Sequence, residues 1–210
     1  NKNLTKQKER GFLMANSTSI TYRLKRKIWA FTNKISRRLS KPDRKFTADM
    51  VYGILASRSC LLTDISDQLH ETVHKANTVK RLSNHLSEGT PASAAASYLH
   101  TVKRLVPSEP VVLIDESDIV KPDGKQFEAL GIVRDGSEST QTKSVYKKGY
   151  HVTEACALTA SKHPVSVFSM IHSSAEKDYK SVNTITFDAI KQAAALFGKA
   201  TFVMDRGYDD

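Results

Sequence analysis

The chain has 210 residues, enough for one large domain or two small ones, and 40% of them are apolar, which suffices to close a hydrophobic core. No apolar run approaches the roughly 20 residues of a membrane-spanning helix, and no secretory signal opens the chain. Cys60 and Cys156 stand far apart in no spaced motif, which is typical of a reducing compartment. We therefore expect a cytoplasmic protein without a membrane partner.

Positive charge is concentrated at the start of the chain. Residues 1–45 hold 14 Lys/Arg and 2 Asp/Glu, whereas the other 165 residues hold 18 basic and 20 acidic side chains. Such a block favours a polyanion partner such as DNA, because each Lys or Arg placed on a phosphate releases a condensed counterion. A basic helix that is only solvated explains the same run as well.

A mobile polar arm is predicted over 1–22, where no hydrophobic period is sustained. A helix with one apolar face and basic residues around the rest should follow and end before Pro42. The inward positions are Leu24, Ile28, Phe31, Ile35 and Leu39, and the candidates for DNA contact are Arg26, Lys27, Lys34 and Arg37. A second helix should run from about Asp43 to Ser59.

Residues 61–86 predict two helices joined by a tight turn. Thr63 or Asp64 can cap the first helix, and the second exposes Lys80 and Arg81, which are further DNA-binding candidates. The pattern is compatible with helix–turn–helix geometry. An ordinary helical hairpin is the commoner outcome of such a pattern, and the usual turn glycine is absent.

The principal domain boundary is predicted at VPSEP, residues 106–110, where two prolines follow one more helix. It separates a helical DNA-binding region, 23–106, from a second domain, 107–210. In the second domain the periodicity changes to that of strands. The predicted strands cover 111–115, 150–160, 164–171 and 200–205, with a helix at 181–197 before the last strand.

Within that domain the helix 181–197 and the polar stretch 117–149 carry further expectations. The inward positions of the helix are Val182, Ile185, Ile190, Ala194 and Leu196. The polar stretch holds a short structured piece near 127–133 and the segment KSVYKKGYH. There Lys143, Lys147 and Lys148 alternate with aromatic rings that can stack on bases, although a plain exposed lysine loop explains the segment nearly as well.

Two aspartates stand at the ends of short apolar strands: Asp115 after VVLI and Asp205 after ATFVM. If the first and fourth strands are neighbours, both carboxylates emerge at one edge of the sheet. Two such groups repel, and a divalent cation turns that repulsion into coordination. Two Mg²⁺ ions about 3.5–4 Å apart can support phosphodiester cleavage. Either aspartate alone is more readily explained as a turn or cap residue, whereas the two together, on the matching strands of this order, favour the metal site.

The segments VVLIDESDIVKPDGKQFEALGIVRDGSES and FVMDRGYDD resemble the first and second acidic motifs of DDE transposases of bacterial insertion sequences, close to the IS-four group. The resemblance covers roughly residues 60–210. It implies an α/β fold with a ribonuclease-H-like mixed sheet, incomplete in this chain, preceded by an all-helical DNA-binding region. Asp115 is similar to the first metal-binding aspartate and Asp205 to the second, with Mg²⁺ as cofactor and Mn²⁺ as a substitute.

The family's third acid, a helix-borne glutamate after the second aspartate, has no counterpart. Glu154 and Glu176 precede Asp205, so neither matches the family order. The resemblance therefore implies a C-terminally truncated transposase without full catalytic competence. It also implies terminal inverted repeats and target DNA as partners, a homodimer on DNA, and a bacterial, nucleoid-associated location. The alternatives are an inactive protein that binds transposon ends and a ribonuclease-H-like nuclease unrelated to transposition.

Overall fold

The computed structural model describes residues 21–89 and 92–205. The chain divides between Thr101 and Val102 into two compact units, each described by itself below. Residues 1–20 of the predicted arm lie outside the described residues. Residues 206–210 of the FVMDRGYDD motif also lie outside them. Residues 21 and 22, assigned to the arm by sequence, are helical.

All the elements described in the first unit are helices. Helix α1 covers residues 21–35. It is followed by α2 (Lys41–Ser57), α3 (Leu62–Leu69), α4 (Lys75–Glu88) and α5 (Ala92–Val102). None of the helices in the described residues is long and apolar enough to cross a membrane.

The buried side of α1 agrees with the predicted one only in part: Ile35 is buried and Ile28 is half-buried, as expected. Leu24 is 53% exposed and Phe31 is 38% exposed, whereas Thr32 and Ser36 are buried. Hydroxyl groups can be buried here because they bond to the helix's own backbone: Ser36 Oγ donates to the carbonyl of Thr32 at 2.6 Å. The helix also ends at residue 35, so Leu39 lies beyond it, in the turn that leads to α2.

Helix α2 begins at Lys41, two residues earlier than predicted from Asp43, because Pro42 lies in its first turn instead of only ending the previous helix. Proline is well placed in a first helical turn, where its missing N–H has no partner to lose. Ser40 caps the helix by accepting from the backbone N–H of Asp43. Neither Thr63 nor Asp64 caps α3; its N-cap is Leu61, without a side-chain bond.

Three helices of the first unit enclose a small hydrophobic core. Phe46 from α2, Ile65 from α3 and Leu82 from α4 form its centre, and further apolar side chains pack around them. Helices α3 and α4 are joined by a short turn that begins at His70, which has the left-handed conformation (φ 50°) that glycine more often supplies. The turn is therefore made without the glycine that sequence reasoning looked for.

The second unit is a mixed, open sheet of five strands with one helix, and the mixed α/β class is confirmed. Its elements are β1 (Val111–Val120), β2 (Gly131–Arg134), β3 (Tyr146–Leu158), β4 (Pro164–His172), α6 (Val182–Phe197) and β5 (Thr201–Met204). The strand order is β2-β3-β1-β5, and β4 also pairs with β3. Strand β1 is antiparallel to β3 and parallel to β5.

Strand β1 is twice as long as the predicted segment 111–115. Its polar second half lacks a hydrophobic run, yet it continues to pair with β3 as far as Val120 opposite Gly149. The long neighbouring strand supplies backbone partners, so the ladder extends where side-chain pattern alone indicates a loop. In the same way β3 begins at Tyr146 inside the predicted lysine loop, and the structured piece near 127–133 becomes β2, hydrogen-bonded to β3.

Helix α6 packs against the sheet through small side chains. Thr186, Ala189 and Ala193 are buried, while the five predicted inward residues are only half-buried. Opposite them the sheet buries Val112, Ile114 and Ala155, among others. Small residues allow the helix to approach the strands closely, so its contact line is the alanine stripe and the larger apolar side chains lie to either side.

Candidate functional site

Asp115 and Asp205 are brought side by side by the pairing of two neighbouring strands. In the parallel pair of β1 and β5, Ile114 is in register with Met204, and the next residue along each strand is an aspartate. The predicted place of Asp115 at the end of a strand is wrong, because pairing with β3 extends β1 to Val120. Asp115 lies in the middle of β1, beside the carboxyl end of β5, where Asp205 follows Met204. The neighbouring position of the strands was the condition on which the sequence argument depended.

Asp115 faces away from the hydrophobic side of the sheet. Along β1, Val112 and Ile114 are buried, whereas Leu113 and Asp115 are exposed, because successive side chains of a strand alternate between its faces. One carboxylate oxygen of Asp115 accepts the backbone N–H of Glu116 at 2.9 Å. Asp205 is exposed as well. Both side chains are thus exposed to solvent.

Glu154 is the cross-strand neighbour of Asp115 on β3. Residues directly opposite in an antiparallel pair have Cβ atoms about 4.5–5.5 Å apart and share a face. Sequence order alone had set Glu154 aside, because a residue's place along the chain does not show which strand position it will face. Its carboxylate accepts a weak bond from the Cys156 thiol, whose pKa is raised by burial and by this carboxylate.

The donors at this site suit a hard divalent cation. Carboxylate oxygens are the protein ligands that Mg²⁺ prefers, and Mg²⁺ usually keeps several waters, so two exposed aspartates fit it chemically. Within 21–89 and 92–205, no three His, Cys, Asp or Glu side chains are grouped closely enough to hold a metal ion. The described residues therefore offer a pair of carboxylates in register and no preformed cage.

A second polar group lies on the other face of the sheet. The Nδ1 atom of His151 lies 3.2 Å from Asp118 and 3.4 Å from Glu116, and the His151 ring stacks on that of His172. Burial raises the pKa of Glu116 and lowers that of His172. These residues are distant in sequence, and only the pairing of β1, β3 and β4 brings them together. Sequence reasoning missed the group for that reason.

The three predicted lysines of KSVYKKGYH have different surroundings. Lys147 lies 3.0 Å from Asp135 and 2.5 Å from Glu138, which balance its charge. Hydrogen bonds from Ser137 and from Lys147 lower the pKa of Asp135 to about 2. Lys143 and Lys148 are exposed, the first in the loop and the second on β3. The segment is thus half hairpin strand and half loop.

The basic candidates of the first unit also separate into paired and exposed side chains. Arg81 lies 2.8 Å from Asp49 and 3.1 Å from Glu71. Lys80, the next residue on α4, is exposed. The remaining candidates are exposed and make no ion pair within the part of the chain that the structure describes: Arg26, Lys27, Lys34 and Arg37.

Comparison with models of known protein families and with curated proteins gave no match for this chain. The function proposed below is therefore based on the geometry of the described residues.

Proposed function

We propose that this chain is a DNA transposase of the DDE type, or a part of one, which binds transposon ends and whose complete form cleaves and joins DNA strands. The observation that carries the proposal is the register of β1 and β5, which sets Asp115 and Asp205 side by side. The sequence motifs lead us to expect a metal-dependent phosphoryl-transfer site to hold two adjacent aspartates, each directly after an apolar run.

The strand arrangement supports a ribonuclease-H-like assignment for the second unit. Strands β1, β3 and β4 follow one another as antiparallel neighbours, α6 crosses back, and β5 returns parallel to β1 on its free side. This is the strand, strand, strand, helix, strand order of the resemblance, with β2 as an added hairpin strand. The assignment remains part of the proposal.

In this proposal Asp115 and Asp205 would hold Mg²⁺, or Mn²⁺ in its place. When bound, the ions supply charge stabilisation and a more acidic water at the scissile phosphate. Asp115 lies within the paired ladder of β1 and β3, and Asp205 directly follows β5, which keeps the donor atoms in place before DNA arrives. Basic side chains of the first unit hold the DNA, and a homodimer on paired ends is the expected assembly.

Cleavage of labelled DNA tests the proposal. The substrates are duplexes from the ends of the element that carries this gene and random-sequence duplexes of equal length, each with and without Mg²⁺. The variants are Asp115→Asn and Asp205→Asn, which keep side-chain size while removing the charge. Asp188→Asn is the matched control, because Asp188 is an exposed carboxylate on α6, next to Lys191. The assay uses the complete gene product.

We expect Mg²⁺-dependent cleavage at the element ends that falls at least 100-fold in either site variant and is unchanged in the control. Cleavage that survives both site substitutions overturns the site assignment. Glu154→Gln extends the test, since loss of cleavage in this variant would add the cross-strand carboxylate to the site.

The same assay separates the alternatives. Tight binding to element ends without cleavage at any metal concentration indicates an inactive DNA-binding protein. Equal cleavage of end and random duplexes indicates a nuclease unrelated to transposition.

A further inference from the structure

The polar side chains of α4 fall into an inner and an outer set. The inner set consists of Thr78, Arg81 and His85, which are buried or half-buried. The outer set consists of Asn77, Lys80 and Asn84, which are all exposed. The spacing of the outer set, i, i+3 and i+7, places its members on one stripe of the helix.

Carboxylates of neighbouring elements bind every member of the inner set. Arg81 contacts Asp49 of α2 and Glu71 of the turn. Thr78 donates to Glu71 at 2.7 Å, and His85 Nε2 lies 2.8 Å from Asp43. These bonds and the buried Leu82 fix the rotation of α4 about its axis. Arg81 thus holds α4 in place, because its guanidinium group is bound to the carboxylates of Asp49 and Glu71.

The outer set has no such partners. Among residues 21–89 and 92–205, nothing forms a hydrogen bond or an ion pair with the side chains of Asn77, Lys80 or Asn84. The helix also carries no carboxylate before Glu88. A stripe of amide and ammonium groups therefore faces outward from a rigid helix, without negative charge along it.

The support beneath α4 suits insertion into a DNA groove. Helix α3 and a short turn precede it, and both helices pack on α2 through one core. The 14 residues of α4 make a rod about 21 Å long. An α-helix of this kind fits the major groove, which is roughly 12 Å wide. Asparagine amides match the adenine edge there, and lysine matches the guanine edge.

We infer that α4 reads the sequence of duplex DNA in the major groove through Asn77, Lys80 and Asn84. The inference rests on the proposed function, because it takes DNA as the partner of this chain. It adds that α4 is the helix that reads the bases. The exposed basic residues of α1 then act on phosphates. Phosphate contacts strengthen binding to every sequence, whereas base contacts separate one sequence from another.

Selection from a pool of duplexes with a randomised 20-base-pair centre tests this inference on the full chain. The enriched duplex and a scrambled version of it then serve as probes, and the ratio of their Kd values measures specificity. The variants are Asn77→Ala and Asn84→Ala. Alanine favours helix more than asparagine does, so a loss of specificity in these variants does not come from an unfolded α4. Circular dichroism confirms their folding.

We expect the wild-type chain to enrich one motif and each asparagine variant to lower the Kd ratio about tenfold or more. Lys80→Ala should lower the ratio as well. The matched controls are Lys27→Ala and Lys34→Ala on α1, exposed lysines that should weaken binding to both probes by the same factor and leave the ratio unchanged.

Three outcomes overturn the inference. A Kd ratio unaffected by both asparagine variants removes α4 from base reading, and a ratio lowered by the α1 controls moves base reading to α1. Failure to enrich any motif removes sequence reading altogether. None of these results touches the Asp115 and Asp205 cleavage assay, so failure here and failure of the proposed chemistry are separate.

Discussion

At the scale of single residues, Glu71 connects three parts of the first unit. Its carboxylate lies 2.6 Å from Lys45 of α2, and it accepts from Thr78 and Arg81 of α4. The hydrogen bond from Lys45 is the largest of the interactions that lower the pKa of Glu71 to about 2. A carboxylate with this many partners contributes more to the free energy of unfolding than an isolated surface ion pair does.

We predict that Glu71→Gln lowers the free energy of unfolding by about 1–3 kcal/mol at pH 7, because the change leaves Lys45 and Arg81 with a neutral partner. The folded pKa of Glu71 is below its ordinary value of 4.5, so its stabilising effect is complete above pH 4.5 and is lost as the pH falls toward 2. Urea unfolding between pH 2 and pH 7 should show the difference between wild type and variant shrinking over that range.

Glu88→Gln is the control for this prediction. Glu88 is the exposed last residue of α4, and its replacement should change the free energy of unfolding by less than about 0.5 kcal/mol. If the free energies of unfolding of wild type and Glu71→Gln differ by the same amount down to pH 2, the predicted role of the Glu71 carboxylate is wrong.

Adjacent lysines on β3 should differ in their effect on DNA binding. Lys147 is neutralised by Asp135 and Glu138, whereas Lys148 is exposed. We predict that Lys147→Ala leaves the Kd for random duplex within about twofold, while Lys148→Ala weakens binding severalfold because it removes an available phosphate contact. Fluorescence anisotropy at 50 mM salt measures both. The reverse order would show that the ion pairs of Lys147 open on DNA.

At the scale of elements, α2 and α3 meet at a glycine. Gly53 is buried in α2, and a Cβ atom built there collides with the side chain of Ile65. Ile65 is fully buried in the core, so it has little room to move. The absence of a side chain at position 53 is what permits the close approach of the two helices.

We predict that Gly53→Ala lowers the free energy of unfolding by about 1–3 kcal/mol. Helix propensity alone predicts the opposite sign, because alanine is favoured over glycine by roughly 1 kcal/mol in a helix. Thermal and urea unfolding measure whether the collision with Ile65 or the gain in helix propensity is the larger effect. The control is Gly136→Ala, where a Cβ atom meets nothing within 4 Å, and a small change is expected. A stabilised Gly53→Ala variant would show that the helices can separate at no cost.

At the scale of the whole molecule, the uneven charge distribution should control how salt affects DNA binding. We predict that the slope of log K against log salt for random duplex becomes shallower by about 3–4 when four basic residues of the first unit are neutralised, since each phosphate contact contributes about 0.9. The four substitutions are Arg26→Ala, Lys27→Ala, Lys34→Ala and Arg37→Ala.

A variant with the same loss of charge in the second unit is the control. It replaces the exposed residues Lys125, Lys177, Lys180 and Lys191 with alanine. Net charge falls equally in both variants, so a larger effect of the first set identifies a local DNA surface. Equal slopes in the two variants would show that binding follows net charge alone.

Much of the second unit could be predicted from sequence because strand and helix periods are local properties. VVLID and ATFVMD are apolar runs that end in an aspartate. The first run forms the first half of β1, with Asp115 in mid-strand, and the second forms β5, which Asp205 follows. The lengths of the strands were harder to predict. The polar half of β1 and the start of β3 have no hydrophobic pattern. The first is ordered by pairing with the middle of β3, and the second by pairing with β2.

The first unit shows the same limit. Apolar spacing correctly indicated Ile35 as an inward residue of α1, but Leu24 and Phe31 are exposed, and the polar Thr32 and Ser36 are buried. A period shows that a helix has faces, and the partner that packs against it decides which face is covered. The left-handed His70 made a turn without glycine for a similar reason, since the packing of α3 and α4 compensates the strain.

By itself the sequence determined the α/β class, the order of strands, the block of basic charge at the start and the two aspartates that follow apolar runs. These depend on neighbours along the chain. Only the tertiary structure decided that β1 and β5 are parallel neighbours in register, that Glu154 faces Asp115, and that Arg81 and Lys147 are held by carboxylates while Lys80 and Lys148 are exposed. Strand register and ion pairs join residues far apart in the chain, and the folding of the whole unit selects them.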